Sequence, residues 1–563
     1  MLFASVAEVI SIGAVVPFLG VLTTPSRVFE HPAAQLLVQS LGLTSASQLL
    51  LPLTIAFGLA AIISGGIRVL LLWATTRLSF AAGLELGINI YRRTLYQPYA
   101  VHVARNSSDI IGGITSKTHS VIYQTILPTL IFFSSSIMLI VILSALLTID
   151  PGASLLFFGG FGFIYSVIIW LTRHRLVGYS QTIARETTQV LRVLQEGLGG
   201  IRDILLDGSQ AAYCESYRKA DLRLRWAQAS NVFIALSPRY AMEALGMILI
   251  AGLAYKFSQE PIGGTMVLPI LGALALGAQR LLPVAQQAYV AWAGIKGSQA
   301  SLGDTLELLD QPLPEYVAKL GTEPLTFNKD LELKDLSFRY TADTPWVLRD
   351  ITLTIPKGSR VGFIGPTGSG KSTLLDIIMG LLQPTSGTLA IDGRPISPHN
   401  SRAWQSRIAH VPQTVFLGDT TIAENIAFGR LREEIDFDRV RWAAQKAQIA
   451  EVIETWPDKY QTFTGERGIR LSGGQRQRIG IARALYKQAD VIVFDEATSA
   501  LDYETERAVM ASIESFNTNI TILIIAHRVT TLQRCTQIIE LRDTGIIRIC
   551  AYQDIAAPVT RVN

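Results

Sequence analysis

Charge is scarce in this chain. Only 17% of its 563 residues are Asp, Glu, Lys or Arg, against about a quarter in ordinary soluble domains. Mean hydropathy is +0.33, which argues against a chain built only of water-soluble domains and for a membrane-embedded part. Cysteine is scarcer still. Cys214, Cys535 and Cys550 are odd in number and show no metal-ligand spacing, which excludes a disulfide framework and a cysteine metal centre and fits a reducing, cytoplasmic setting. The formal charge of +4 has no concentrated basic patch behind it, so a nucleic-acid footprint is absent. Long apolar runs are abundant, and the length is too great for one core.

Six apolar stretches fall in the first 310 residues, at roughly 2–22, 49–74, 125–148, 153–172, 233–256 and 265–284. Each is near the twenty or so residues that cross a bilayer as a helix. Buried helices of a soluble core run shorter and alternate with polar faces. The spacing therefore predicts a six-span transmembrane domain over 1–310. Basic residues set its orientation. Arg77, Arg92, Arg93, Arg105 and Lys117 lie between the second and third spans. Arg173, Arg175, Arg185, Arg192, Arg202, Arg218, Lys219, Arg223 and Arg225 lie between the fourth and fifth, whereas the other connections hold little beyond Arg27, Asp150 and Glu260. The two basic loops are expected on the cytoplasmic side, and they are long enough to be helical extensions of the spans. Met1 opens almost directly into apolar sequence with no basic lead, a poor signal peptide and more like a span entered partway along.

In the loop 23–48, Phe29, Ala33, Leu36, Leu37 and Leu41 recur at helical spacing. This predicts a short amphipathic helix, either at the outer membrane surface or packed on the spans. Arg68, Arg239 and Arg280 sit in or at the edge of spans, with Glu8 and Glu243 in the first and fifth. Charges at bilayer depth are costly, so these arginines are candidates to line a substrate cavity. The alternatives are internal ion pairs or snorkelling to the headgroups. Glu243, four residues beyond Arg239, is placed to pair with it on a helix face; no such local carboxylate accompanies Arg68 or Arg280.

The stretch 311–330, with Pro312, Pro314, Gly321 and Pro324 among charges, reads as a linker. Beyond it, 331–563 has the composition of a soluble α/β domain. Residues 360–364 (RVGFI) form a short apolar strand, followed by Gly365, Pro366, Thr367, Gly368, Ser369, Gly370, Lys371, Ser372 and Thr373 and then a helical run. This strand–loop–helix setting is what a phosphate-binding loop requires. Its glycines let backbone N–H groups close on phosphate oxygens, and the helix N-terminus adds positive potential. Lys371 is expected on the β- and γ-phosphates of ATP and Ser372 on Mg²⁺. The run 491–495 (VIVFD) reads as a strand buried on both faces of a parallel sheet. It delivers Asp495 beside the metal and Glu496 next to it as general base. His527 follows another apolar strand, at the sheet edge where ligands bind in open α/β sheets. Tyr340 is an aromatic that could stack on adenine, and Gln413 opens a polar loop.

Residues 471–475 (LSGGQ) precede a helix expected over 475–486. Ser472, Gly473, Gly474 and Gln475 thus make a second phosphate-binding helix terminus. One fold cannot aim this terminus and the phosphate loop at the same γ-phosphate, so a second chain must supply the complement.

These motifs, with residues 499–502 (SALD), closely resemble the ABC transporters over nearly the whole chain. The resemblance implies an all-α six-helix transmembrane domain followed by an α/β ABC-type P-loop ATPase domain, with ATP and Mg²⁺ as nucleotide and metal. It implies that Tyr340 stacks adenine and that Gln413 lies at the γ-phosphate and metal and links them to the membrane domain. Glu496 is then the base, His527 a γ-phosphate contact and Asp502 a cross-dimer residue. Six spans and one ATPase domain look like an exporter half-transporter that pairs with a second chain; intact motifs favour a homodimer. Exporters of this kind usually carry a cytoplasmic lead-in, which is expected either to be missing or to lie upstream of Met1. Residues 464–468 (TGERG) are similar to the exporter segment before LSGGQ, with Arg467 where glycine is usual, a departure expected to be neutral.

The membrane half looks most like the bacterial lipid-linked oligosaccharide flippases, on residues 7–18, on 237–240 (SPRY) with Glu243, and on 279–283 (QRLLP). That implies an anionic lipid-linked glycan, arginines lining an outward cavity, and a place in a bacterial inner membrane. The competing expectations are a drug or peptide exporter, and a soluble ABC ATPase acting on nucleic acid, which the six spans contradict.

Overall fold

The computed structural model describes residues 1–14, 25–30, 42–149, 151–259, 267–314, 325–497, 502–516, 519–526 and 528–556, with the single positions 18, 21, 35 and 39. The chain divides into two compact units, residues 1–97 with 105–312, and residues 98–104 with 313–563.

The first unit is helical. Its described helices include α1 (Leu2–Gly13), α2 (Leu50–Leu95), α4 (Leu127–Ile149), α5 (Pro151–Gly199), α6 (Gln210–Leu236), α7 (Pro238–Gln259), α8 (Val267–Gly297) and α9 (Gln299–Leu309); α3 (Tyr99–Ala104) belongs to the second unit. Each of the six apolar runs falls wholly or partly on α1, α2, α4, α5, α7 or α8. Two of the longest helices continue well past their apolar part. At 46 residues, α2 is roughly 69 Å long, about twice a hydrocarbon core. Its lower half carries Arg77, Arg92 and Arg93, and α5 likewise carries Arg173, Arg175, Arg185 and Arg192.

Among the described residues two helices, Leu50–Leu95 and Ser107–Ala145, are long and apolar enough to cross a membrane. Only 6% of the apolar window of α2 is buried within the chain, unlike the core helix of a soluble protein. Between Ser107 and Ile149 the helix makes two π turns, at Gly113–Lys117 and Ile122–Ile126.

Polar contacts lock helices that apolar packing in lipid would leave free to slide. Ser64 donates to the buried Glu8 carboxylate at 2.9 Å, Lys117 pairs with Asp304 at 2.6 Å, and Tyr165 donates to Gln286 at 3.1 Å. Helix α8 packs along α4, and α5 along α6. Of the expected outer-loop helix, only Pro25–Glu30 is described; Ala33, Leu36, Leu37 and Leu41 lie outside the described residues, as do 315–324 of the expected linker.

The second unit is α/β. A four-stranded antiparallel sheet has the order β2-β1-β4-β5, built from β1 (Asp330–Phe338), β2 (Leu348–Pro356), β4 (Ser386–Ile391) and β5 (Arg394–Pro395). A six-stranded sheet has the order β10-β9-β3-β8-β7-β6. Its members are β3 (Arg360–Ile364), β6 (Ile408–Val411), β7 (Val491–Asp495), β8 (Thr521–Ile525), β9 (Gln537–Arg542) and β10 (Gly545–Cys550). All its pairings are parallel except the β9–β10 hairpin.

The continuous apolar strands serve two cores because side chains alternate with period two. Val491 and Val493 of β7, with Leu523 and Ile525 of β8, face the core shared with the antiparallel sheet. Ile492, Phe494, Ile522 and Ile524 face the helical core on the other side. Trp404 anchors the first core, fully buried, its indole N–H donating to the Ile378 carbonyl at 2.7 Å.

Candidate functional site

The phosphate loop leaves β3 at Gly365, with φ +147°, where a Cβ would lie 2.1 Å from the Leu541 carbonyl oxygen. Only glycine fits. Gly370, with φ +89°, caps α10 (Lys371–Ile378) without a side-chain hydrogen bond, so the first N–H groups of the helix have no side-chain cap. Lys371 is buried, and its ammonium donates to the carbonyls of Gly365 and Pro366 at 2.9 and 2.8 Å. The Ser369 hydroxyl is buried within the same loop with no hydrogen-bond partner. An orphaned donor, a cationic amine and an uncapped helix start together suit phosphate oxygens.

Asp495 ends β7 half-buried, and the Ser372 hydroxyl bonds its carboxylate. Burial, and then the neighbouring Glu496, raise the Asp495 pKa, while Ser372 and Lys371 oppose the rise. Glu496 has φ +51°, a left-handed conformation costing about 1–2 kcal/mol for a non-glycine residue. Its N–H donates to the Ile525 carbonyl at 3.1 Å, and Gln413 donates through Nε2 to its Oε2 at 2.6 Å. The structure thus brings Ser372, Gln413, Asp495 and Glu496 to one sheet edge. Tyr340 lies half exposed nearby, its hydroxyl 3.3 Å from that of Thr373 and its ring edge-on to Phe338.

Two residues escaped sequence reasoning. Asp376, on α10, has its pKa pushed up to about 6 by burial and by Asp495. Tyr99, on α3, is also raised, by burial first and then by Asp376 and Tyr340. Neither stands in a motif; the acid two residues past the helix-start threonine and leucine looks like any polar helix position.

The LSGGQ segment starts its helix two residues earlier than the sequence predicts, at Gly473 in α12 (Gly473–Lys487). Ser472 accepts from the Gln475 N–H at 3.2 Å, and Gln475 accepts from the Ser472 N–H at 2.8 Å. This capping box outweighs the poor helix propensity of two glycines. Among the described residues no hydrogen bond or ion pair joins 472–475 to the phosphate loop. Asp502 caps α13 (Tyr503–Phe516) by accepting from the N–H and hydroxyl of Thr505 at 2.8 and 2.7 Å. Arg467 has φ +52°, so the residue standing in glycine's place holds glycine's backbone conformation. His527 and residues 499–501 lie outside the described residues.

In the helical unit Arg68 pairs with Glu8 of α1, a carboxylate sixty positions away. It also lines a cavity of about 620 Å³ with Thr75, Ser134, Ser135, Gln279 and Gln287. Arg239 is exposed and pairs with Glu243 on its own helix at 2.7 Å. The Arg280 side chain lies outside the described residues.

A parallel sheet with a glycine-rich loop opening α10, and carboxylates at the neighbouring strand end, defines a P-loop ATPase. The ABC transporter family model matches residues 348–499. A lipid A-core flippase described as ATP-dependent, from Cupriavidus metallidurans, is 30% identical over 506 residues, 88% of this chain and 82% of that protein. Proteins of the same description are 30% identical in Alkalilimnicola ehrlichii, covering 74% of this chain and 70% of that one. In Ralstonia nicotianae the identity is 29%, covering 84% and 79%. A solved bacterial Atm1-family ABC exporter with ATP bound has the same fold, with TM-score 0.78 over 97% of this chain and 95% of that one at 22% identity. The chain belongs to the ABC transporters. It is a membrane exporter whose ATPase domain binds ATP and couples its hydrolysis to transport.

Proposed function

We propose that two copies of this chain form an ATP-driven flippase for an amphiphilic lipid with an anionic, sugar-bearing head, in a bacterial inner membrane with the ATPase domains in the cytoplasm. The carrying observation is the mixed cavity that Arg68 lines, where Thr75, Ser134, Ser135, Gln279 and Gln287 alternate with Leu71, Leu72, Ile131, Met138 and Val284. The Arg68 guanidinium pairs with Glu8 while its Nε makes no hydrogen bond, and a guanidinium meets phosphate oxygens with paired, charge-assisted bonds. The names of the relatives, lipid A-core flippases, support a lipid substrate. The basic stretches of α2, α5 and α6 support the orientation. Arg239 and Arg280 are proposed as further contacts to the head group.

In the ATPase domain Glu496 acts as the base that takes a proton from the attacking water. Tyr340 stacks adenine, and residues 365–373 hold the phosphates. His527 contacts the γ-phosphate, Gln413 reports its presence, and Ser472 to Gln475 of the partner chain close the site. Ser372 and Asp495 are a hard-oxygen donor set already in contact, which suits Mg²⁺, with Gln413 beside them. That ion would neutralise phosphate charge. The crowding of Asp376, Asp495 and Glu496 makes this edge negative until a cation arrives.

A second cavity supports a competing reading. About 410 Å³ is lined by Phe132, Phe161, Tyr165, Tyr289 and Trp292 without an arginine, a lining suited to apolar drugs. Proteoliposome transport decides between them. Arg68→Ala is expected to lower flipping of a lipid-linked pyrophosphate sugar or of lipid A-core about tenfold, with basal ATP hydrolysis retained and Arg68→Lys restoring part. Normal lipid transport by Arg68→Ala, with loss of drug transport on Trp292→Ala, overturns the lipid assignment.

A further inference from the structure

A cavity of about 240 Å³ in the ATPase domain is lined by Arg360, Arg507, Arg534, Thr530 and Gln533 over a floor of Met510, Ile524 and Cys535. Three guanidinium groups from separate segments converge on it: Arg360 opens β3, Arg507 lies on α13, and Arg534 follows the 3₁₀ turn Val529–Leu532. One carboxylate, Glu506, also borders the cavity. It is already engaged, accepting from the Thr531 hydroxyl at 2.8 Å and lying 4.0 Å from Arg528. Arg507 pairs with no carboxylate among the described residues. Burial pushes the Cys535 thiol up to about 12, so the floor stays neutral and adds no negative charge.

The backbone around the cavity is fixed. Thr536 donates through its N–H and hydroxyl to the Arg360 carbonyl, both at 2.9 Å, and the Arg360 N–H donates back to the Thr536 hydroxyl at 3.1 Å. The cavity also stands apart from the nucleotide site. Arg360 begins β3 and Gly365 follows its last residue, a separation of roughly 15 Å along the strand. A multivalent anion in this cavity would meet the paired donors that guanidinium groups offer.

We propose that Arg360, Arg507 and Arg534 form a second anion site in the ATPase domain, which takes a small phosphorylated solute. Such a solute ties α13, which follows Asp502, to the turn that follows His527.

The test is titration of inorganic phosphate into the full-length protein, followed by calorimetry and by ³¹P line width. Lys371→Ala serves as the background, because it removes the phosphate-loop charge. One saturable event per chain is expected in that background. Arg507→Ala with Arg534→Ala should weaken it about tenfold or more, and Arg507→Lys with Arg534→Lys should return it to within about threefold of the background. Both arginines are exposed, so the variants keep the fold, and unchanged basal ATP turnover in a chain with Lys371 intact checks this. Arg441→Ala, at an exposed arginine that pairs with Asp438 on its own helix and does not line the cavity, should leave binding unchanged. The proposal fails if Lys371→Ala alone abolishes the event, if the double alanine variant binds as the background does, or if Arg441→Ala weakens binding equally.

Discussion

Glu496 shows how much one residue can hold. Its position after the buried β7 strand, its left-handed backbone and its 2.6 Å bond from Gln413 keep a carboxylate at the sheet edge in one orientation. Strain of this kind persists only where the surroundings over-determine it. Glu496→Gln keeps the size and the hydrogen-bonding shape but removes the base. ATP turnover is expected to fall about 100-fold or more, while ATP affinity, measured by equilibrium binding, stays near wild type. Turnover close to wild type would remove Glu496 from the role of base. Arg467 teaches the converse. The change from glycine is expected to be neutral, and its φ of +52° is a conformation that glycine adopts without steric penalty.

At the scale of elements, α10 carries Asp376 in among the acids at the end of β7. Burial and Asp495 raise its pKa to about 6, against about 4 in an unfolded chain. The folded state therefore holds this proton more tightly. Above pH 6 the ionised carboxylate costs stability; the cost shrinks as pH falls from 6 to 4 and is gone below 4. Asp376→Asn is expected to stabilise the ATPase domain at pH 7.5, by on the order of 1 kcal/mol after allowance for solvent screening, which is read as a higher melting temperature. The gain should fade by pH 4. A gain independent of pH, or a loss at pH 7.5, refutes the account. The elements themselves were largely legible. RVGFI, VIVFD and TILII announce buried parallel strands because strands covered on both faces have no polar side. The start of α12 was less so: Gly473 and Gly474 read as loop, and only the reciprocal Ser472–Gln475 cap reveals a helical first turn.

For the whole molecule, one chain carries one phosphate loop and one LSGGQ terminus. If the nucleotide site is shared, Ser369→Cys in one chain and Gly473→Cys in another should crosslink between chains when ATP is added. Cys214 and Cys550 are first replaced by Ser; Cys535 is buried and stays. Crosslinks confined to single chains would count against a shared site.

The sequence by itself determined the class of protein, because phosphate binding, a buried strand ending in acids and a bilayer-length apolar run each demand particular residues at short, local spacings. The six apolar runs, the phosphate loop and the Asp495–Glu496 pair are of this kind. Tertiary structure alone decided the contacts between residues far apart in the chain. Glu8 meets Arg68 across sixty positions, Gln413 meets Glu496 across eighty-three, and Arg360, Arg507 and Arg534 share a cavity. Helix and strand periodicity say which face a residue lies on. Which residue of another element stands opposite is set by how the elements pack.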